Sequence, residues 1–300
     1  MDLPEVRKIS KADFLSDESA RMIADSFFPE SHSIQTYLDA FYPYEADIYT
    51  TSSSFLFLRK GEITQVLIVT GRKWSRKELL SFLESQDLKE EFLLTFQGPA
   101  CDLLEWIQSK PEHRSLKFAL VRLDEDVWGK IKGNLRRQIR KGLDLVQSFT
   151  MEPYTQDTWN ADLESLKKFI VMNDKLIRDV IVLPKLFEGV EIPKHLFRTR
   201  LETSFGEMIG VTSCWKKTWT ADYHWSFHRY RAKDINLTSL YHWQSICEAQ
   251  KQGVEFYNLG FDMKNVPGLY QYKMQWHPEF RASYAVKTDI ATLKTNKDER

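Results

Sequence analysis

The last third of the chain carries a strand, a helix and a second strand in close succession, and that order constrains the fold more than any other feature. Residues 219 to 228 set Ala221, Tyr223, Trp225 and Phe227 against Asp222, His224, Ser226 and His228. Neighbouring side chains on a strand point to opposite faces, so the run reads as a strand with one apolar and one ionisable face. A helix opens near Leu237-Thr238-Ser239 and closes at Gln252-Gly253, and the apolar run 254 to 259 follows directly and ends at Gly260. Shortly after it comes Gly268-Leu269-Tyr270-Gln271-Tyr272-Lys273-Met274-Gln275-Trp276, a lysine held among aromatic rings.

Similar punctuation runs through the first half. Residues 55 to 58 and 63 to 69 are apolar runs joined by Arg59-Lys60-Gly61-Glu62, the composition of a hairpin with glycine in its turn. Ser75 and Glu78 have the spacing of a capping box, ahead of a helix striped by Leu79, Leu80 and Leu83. Residues 91 to 96 and 116 to 123 read as strands around a helix with Leu103, Leu104 and Ile107 inward, whereas residues 1 to 50 read as helix and loop. A basic amphipathic helix is predicted over 125 to 143, a strand over 144 to 154, a helix over 159 to 177 and a strand over 207 to 215. Strands alternating with helices make this an α/β or α+β chain. The expected division is an N-terminal lobe over 1–130, a C-terminal lobe over 131–290 and a polar tail over 291–300.

Charge narrows the partners. Lys plus Arg and Asp plus Glu are both 42, so no whole-protein field draws the chain to nucleic acid, and any basic site must be local. The densest such site is Lys130, Lys132, Arg136, Arg137, Arg140 and Lys141, where residues four apart share a helix face while Leu135, Ile139 and Leu143 pack inward. Cys101, Cys214 and Cys247 are odd in number and lack metal-ligand spacing, which points to reduced thiols, a cytoplasmic location and no metal. No window has the apolar run a membrane span requires, and no nucleotide-binding loop, nucleophile elbow or HExxH motif is present.

The strand, helix, strand and aromatic-Lys order resembles the C-terminal half of the FemABX-like branch of the GNAT acyltransferase superfamily. The likeness runs from the basic helix near Asn134 to Trp276, is sharpest at Tyr272-Lys273 before Trp276, and includes a similar Arg-x-x-Ile-Arg-Lys run at Arg136 to Lys141. It implies an α/β fold of GNAT type: a mixed, largely antiparallel sheet with flanking helices, in two GNAT-like lobes of which the first is divergent. The implied activity is transfer of an acyl group from acyl-coenzyme A to an amine of a small molecule or peptide. Aminoacyl-tRNA, the donor of the FemABX transferases that build bacterial cell-wall peptide bridges, is the alternative, and a degenerate, non-catalytic binding module is a third reading. Two departures stand out. Asn258 occupies a strand position where the family often has Asp, and the Arg/Gln-x-x-Gly-x-Gly/Ala loop of coenzyme A-binding members is missing.

Within that reading Lys273 holds the carbonyl or phosphate of the activated donor, although its stem could also lie along Tyr272 and Trp276 with the ammonium in water. Asp222 and His224 are the candidate bases for the attacking amine, and Tyr270 or Tyr257 the candidate acid toward a thiolate. Arg229, Arg231 and Lys233, with Asn236 and Thr238 at the predicted helix N-terminus and Tyr272 beside the lysine, form the expected donor-binding set. Arg136, Arg137 and Arg140 are the candidate contacts for an acceptor or other anionic ligand, or else a solvated helix face.

Overall fold

The computed structural model describes residues 6–16, 46–88, 91–173, 187–215, 218–228, 236–261 and 266–295. They fall into two compact units. One holds the described residues up to Lys117 together with those from Ala282 onward, and the other holds those of Phe118–Arg281.

In the first unit β1 (Arg7–Ile9), β2 (Asp47–Thr51), β3 (Ser54–Arg59) and β4 (Thr64–Thr70) are antiparallel neighbours in chain order, with α1 (Lys11–Phe14) between the first two. The hairpin expected around Gly61 is β3 and β4. Strand β2 corrects the reading of residues 1 to 50 as helix and loop: Ile48 to Thr51 are all buried, so the strand carries no alternation for a sequence to display. Helix α2 (Arg76–Ser85) opens on the predicted box, in which the Ser75 hydroxyl accepts from the Glu78 N–H and the Glu78 carboxylate accepts from the Ser75 N–H at 2.8 Å. It leads to β5 (Phe92–Gln97), parallel to β4 from Thr64↔Phe92 to Val69↔Gln97, and then to α3 (Asp102–Gln108). Leu56, Leu58, Ile68 and Leu94 pack with Leu79, Leu83 and Leu103, while Phe14 meets Phe55 and Phe57 edge-on at 5.0 Å each. Alternate residues of β3 thus enter two separate apolar clusters, which is why none of its six residues is exposed.

The second unit begins within β6 (Arg114–Arg122) and continues through α4 (Val127–Lys130) and α5 (Gly133–Leu143). The single basic helix expected over 125 to 143 is therefore two pieces. Ile131 and Lys132 are extended, and the Lys132 N–H leaves the helical ladder to donate to the Gln275 carbonyl at 2.9 Å. Next come β7 (Val146–Pro153), α6 (Gln156–Asn173), β8 (Leu196–Thr203), β9 (Gly206–Trp215) and β10 (Thr218–His228), with β7 to β10 antiparallel in chain order. Helix α7 (Leu237–Lys251) crosses to β11 (Phe256–Phe261), parallel to β10, and α8 (Pro267–Met274) follows. Each crossover is closed by a strand antiparallel to its second member, β6 beside β11 and β12 (Glu279–Thr288) beside β5, before the short α9 (Ile290–Lys294). Both units therefore contain the same strand-helix-strand-helix order within a largely antiparallel sheet. No helix among the described residues is long and apolar enough to cross a membrane.

Two contacts fix the helices of the second unit to its sheet. Asp162 of α6, 2% exposed, accepts from Arg198 of β8 through Nε at 2.8 Å and Nη2 at 2.9 Å, and from the Tyr154 hydroxyl at 3.0 Å. Elsewhere in that sheet, Tyr241 of α7 lies over the register pair Thr199↔Gly210, hydrogen-bonded to the Thr199 hydroxyl, with its phenol where a side chain on Gly210 would stand. Arg198→Leu should cost about 3–5 kcal/mol in urea denaturation, because it leaves the Asp162 carboxylate buried without its cation. Gly210→Ala should cost about 1–3 kcal/mol in the same measurement by forcing Tyr241 off the sheet.

Candidate functional site

The parallel pairing of β10 and β11 is short. Its register runs Thr218↔Phe256, Trp219↔Tyr257 and Thr220↔Asn258, although β10 continues to His228 and β11 to Phe261. At the same level β10 slips one residue against β9, between Ala221↔Thr212 and Tyr223↔Val211, so that Asp222 is the extra residue of a bulge. The alternation read across residues 219 to 228 is interrupted there. The equivalent pair in the first unit, β4 and β5, stays in register over its whole paired length. Parted parallel strands leave backbone N–H and C=O groups for an extended ligand, and a crevice at the carboxyl ends of strands is where open α/β sheets bind molecules.

Asn258 and Gly260 shape the end of β11. Asn258 is fully buried; its Oδ1 accepts from the Gly260 N–H at 2.7 Å, and its Nδ2 has no hydrogen-bond partner among the described residues. Gly260 has φ +78°, a conformation that costs an L-residue about 1–2 kcal/mol. A Cβ at that position would stand 3.6 Å from the Lys273 Nζ, in ordinary contact with it, so the ammonium lies beside the end of β11 and the constraint on residue 260 is its positive φ. Lys273 itself is 6% exposed, so its stem lies inside the fold. Tyr270, three residues earlier on α8 and half-buried, shares its helix face.

Helix α7 supplies the other wall. Asn236 is its N-cap, accepting from the Ser239 N–H at 3.1 Å, and Thr238 is half-buried in the first turn. Ser239 is fully buried. His242, 5% exposed, shares a 2.7 Å hydrogen bond between its Nδ1 and the Tyr257 hydroxyl, and its ring packs against Tyr272 and Trp276 at centroid separations of 6.1 and 6.0 Å. Burial drives the Tyr272 phenol well above its ordinary pKa, with Ser239 and Trp276 pulling it part of the way back, so the phenol stays protonated. The first turn of α7, Tyr272 and Trp276 are thereby brought together.

Arg137 and Arg140 are exposed on α5 and Arg136 is half-buried, with Leu135 and Ile139 inward as predicted. Arg140 lies 5.4 Å over the Trp128 ring, which meets Trp243 of α7 at 4.5 Å, so the basic helix borders an aromatic pair. Arg229, Arg231 and Lys233 lie outside the described residues. Asp222 and His224 are placed only as backbone positions of β10, His224 opposite Gly210. Trp276 entered the sequence reading only as a ring beside Lys273, and Ser239 and His242 escaped it. Their sole signal is polar atoms on a helix buried nearly all round, which is legible only once the helix is known to lie between sheet and α5. The first unit has a cavity of about 190 Å³ beside α2, but Lys8, Tyr49 and Glu78 on its rim are already paired with Asp47, Gln86 and Arg72.

No protein-family model matches the chain, and no curated protein matches it in sequence. Solved structures do match in shape. A conserved protein of unknown function from Bacteroides thetaiotaomicron superimposes with a TM-score of 0.67 at 12% identity, covering 95% of this chain and 100% of that one. The C-terminal domain of a protein named as a lysylphosphatidylglycerol synthetase from Agrobacterium fabrum gives 0.62 at 13%, covering 95% and 94%. FemX gives 0.60 at 10%, covering 95% and 97%. These likenesses establish the fold, and the chain has the mixed, largely antiparallel α/β architecture with flanking helices that the sequence led us to expect.

Gly260→Ala should lower stability by about 1–2 kcal/mol in urea denaturation, since alanine pays for a positive φ that glycine adopts freely. Gly268→Ala, on α8 with open space and no positive φ, is the control and should raise stability by about 0.4–1 kcal/mol.

Proposed function

We propose that the chain is an N-acyltransferase of the FemABX-like branch of the GNAT superfamily, moving an acyl group from acyl-coenzyme A onto an amine. The observation that carries this reading is the buried residue Lys273, its ammonium beside Gly260 where the pairing of β10 and β11 ends. The carrier arm of the donor runs along the unpaired backbone edges beyond Thr220 and Asn258, and its phosphates meet the α7 N-terminus at Asn236 and Thr238, with Arg229, Arg231 and Lys233 adding charge. The amine nitrogen attacks the acyl carbon and its proton passes to Asp222 or His224. The carbon–sulfur bond then breaks, and the leaving thiolate takes a proton from Tyr270. Lys273 stabilises the oxyanion formed during attack, a charge that exists mainly near the transition state. Holding both reactants in place supplies much of the remaining rate.

Aminoacyl-tRNA is the second reading for the donor. It is favoured by the exposed Arg137 and Arg140 beside the Trp128–Trp243 pair, since cations with stacking rings suit single-stranded nucleic acid, and by the fold shared with FemX.

Lys273→Met keeps the stem and removes the charge, and should lower kcat by about 10²–10³-fold with little change in KM. Full activity in a folded variant would make the lysine structural. Titration with acetyl-coenzyme A and with charged tRNA distinguishes the donors: tight, salt-sensitive tRNA binding that is lost in Arg136/Arg137/Arg140→Gln would establish the second reading. Binding of neither carrier would favour a non-catalytic module.

A further inference from the structure

Helix α2 and strands β1 and β2 line a cavity of about 190 Å³ in the first unit. Val6 and Lys8, two apart in the chain, form one wall together with Tyr49, the register partner of Lys8 on β2. The other wall is one face of α2, where Glu78, Ser81, Phe82 and Ser85 follow at three- and four-residue spacing. Trp74 and Gln86 complete the lining. Tyr49, Trp74 and Phe82 are all buried, and each is fixed in place. The Tyr49 and Phe82 rings meet edge-on at 5.1 Å, and the Trp74 indole donates to the Ser54 hydroxyl at 2.9 Å with the Arg72 guanidinium over its ring at 4.6 Å. The aromatic walls therefore stand formed without a ligand to shape them.

The polar groups around the cavity are almost all engaged with one another. Tyr49 donates to Gln86 Oε1 at 2.5 Å, Gln86 Nε2 to Ser85 Oγ at 2.9 Å, and Ser85 Oγ to the Phe82 carbonyl at 2.6 Å. Glu78 is held by Arg72 and by its capping box, and Lys8 by Asp47, so the charges are neutralised in pairs. That leaves the Ser81 hydroxyl, half-buried on the helix wall and without a hydrogen bond among the described residues. A well-held water needs about two to four polar partners, which one hydroxyl beside three rings does not supply. A charged guest would lose its hydration and meet no unpaired counter-charge. A neutral ring avoids that loss, and displacing weakly held water with an apolar group gains affinity.

Volume sets the size of the guest. A cavity of about 150 Å³ holds benzene, whereas sites for drug-sized molecules run to about 300–1,000 Å³. A space of about 190 Å³ admits one ring with a small substituent and is too small for a nucleotide or coenzyme A. We propose that this cavity is a binding site for a neutral, single-ring molecule of the phenol class, its one polar group on Ser81 and its ring among Tyr49, Trp74 and Phe82. None of the lining residues belongs to the proposed acyl-transfer site, so the inference goes beyond that reading and does not depend on it.

Fluorine NMR of the whole chain with three matched probes tests this. At neutral pH 4-fluorophenol is uncharged, 4-fluorobenzoate an anion and 4-fluorobenzylamine a cation. The phenol should bind saturably, and about tenfold or more tighter than either charged probe. Ser81→Leu fills the cavity and should abolish binding, while Ser81→Ala keeps the space, removes the hydroxyl and should weaken binding about 2–10-fold. Melting curves check that both variants fold; should Ser81→Leu fail to, Ser81→Ala decides alone. The proposal is overturned if 4-fluorophenol does not saturate below its solubility limit, if all three probes bind alike, or if either folded variant binds the phenol as wild type does.

Discussion

The seat of Tyr241 on Gly210 is the contact on which the rest of the second unit depends. Thr199 and Gly210 are opposite each other on β8 and β9, and the phenol of α7 lies over that pair, bonded to the threonine hydroxyl and filling the space any side chain at 210 would take. This sets both the height of α7 above the sheet and its rotation. With Tyr241 fixed, Ser239 and His242 have no freedom to face solvent, and His242 is delivered to the Tyr257 hydroxyl on β11. The helix is thereby tied to β8 and β9 through Tyr241 and to β11 through His242, and the orientation of its first turn, capped by Asn236, follows.

From that seat the site is assembled by backbone features as much as by side chains. Parallel pairing stops at Thr220 and Asn258, the bulge at Asp222 shifts β10 against β9, and Gly260 turns β11 with a positive φ. Each of these weakens the sheet locally. Against that loss stand the buried clusters that join α5 and α7 to the strands and the enclosed Asp162–Arg198 pair that joins α6 to β8. The first unit shows the contrast: its parallel pair remains in register, and the polar rim of its cavity is internally satisfied. Regular parallel pairing makes one crossover continuous, and interrupted pairing leaves backbone groups open in the other.

The elements with a local signature were legible. The capping box at Ser75 and Glu78, the glycine turn between β3 and β4, and the apolar stripe of α5 each rest on interactions between residues a few positions apart, and each is found. Strand β2 was not, because burial over successive residues removes its alternation, and β12 received no element although it pairs with β5. The basic helix was read through Ile131-Lys132, where the break comes from a hydrogen bond to Gln275, a residue far along the chain. Lys273 was legible as a candidate from its aromatic neighbours, but not its burial, which depends on how α8 packs in the fold.

The sequence by itself determined many of the strands and helices, their alternation, the absence of a whole-protein charge field and the aromatic-Lys motif. Those follow from spacing, turn chemistry and composition, which act over short stretches of chain. Tertiary structure alone decided that β10 and β11 part, that α7 is buried on nearly every side, and that Ser239 and His242 face a closed interior. A polar residue on a helix has the same local pattern whether it faces water or a closed interior. Only the packing of distant segments fixes which of the two it meets, and therefore whether its hydrogen bonds are already made.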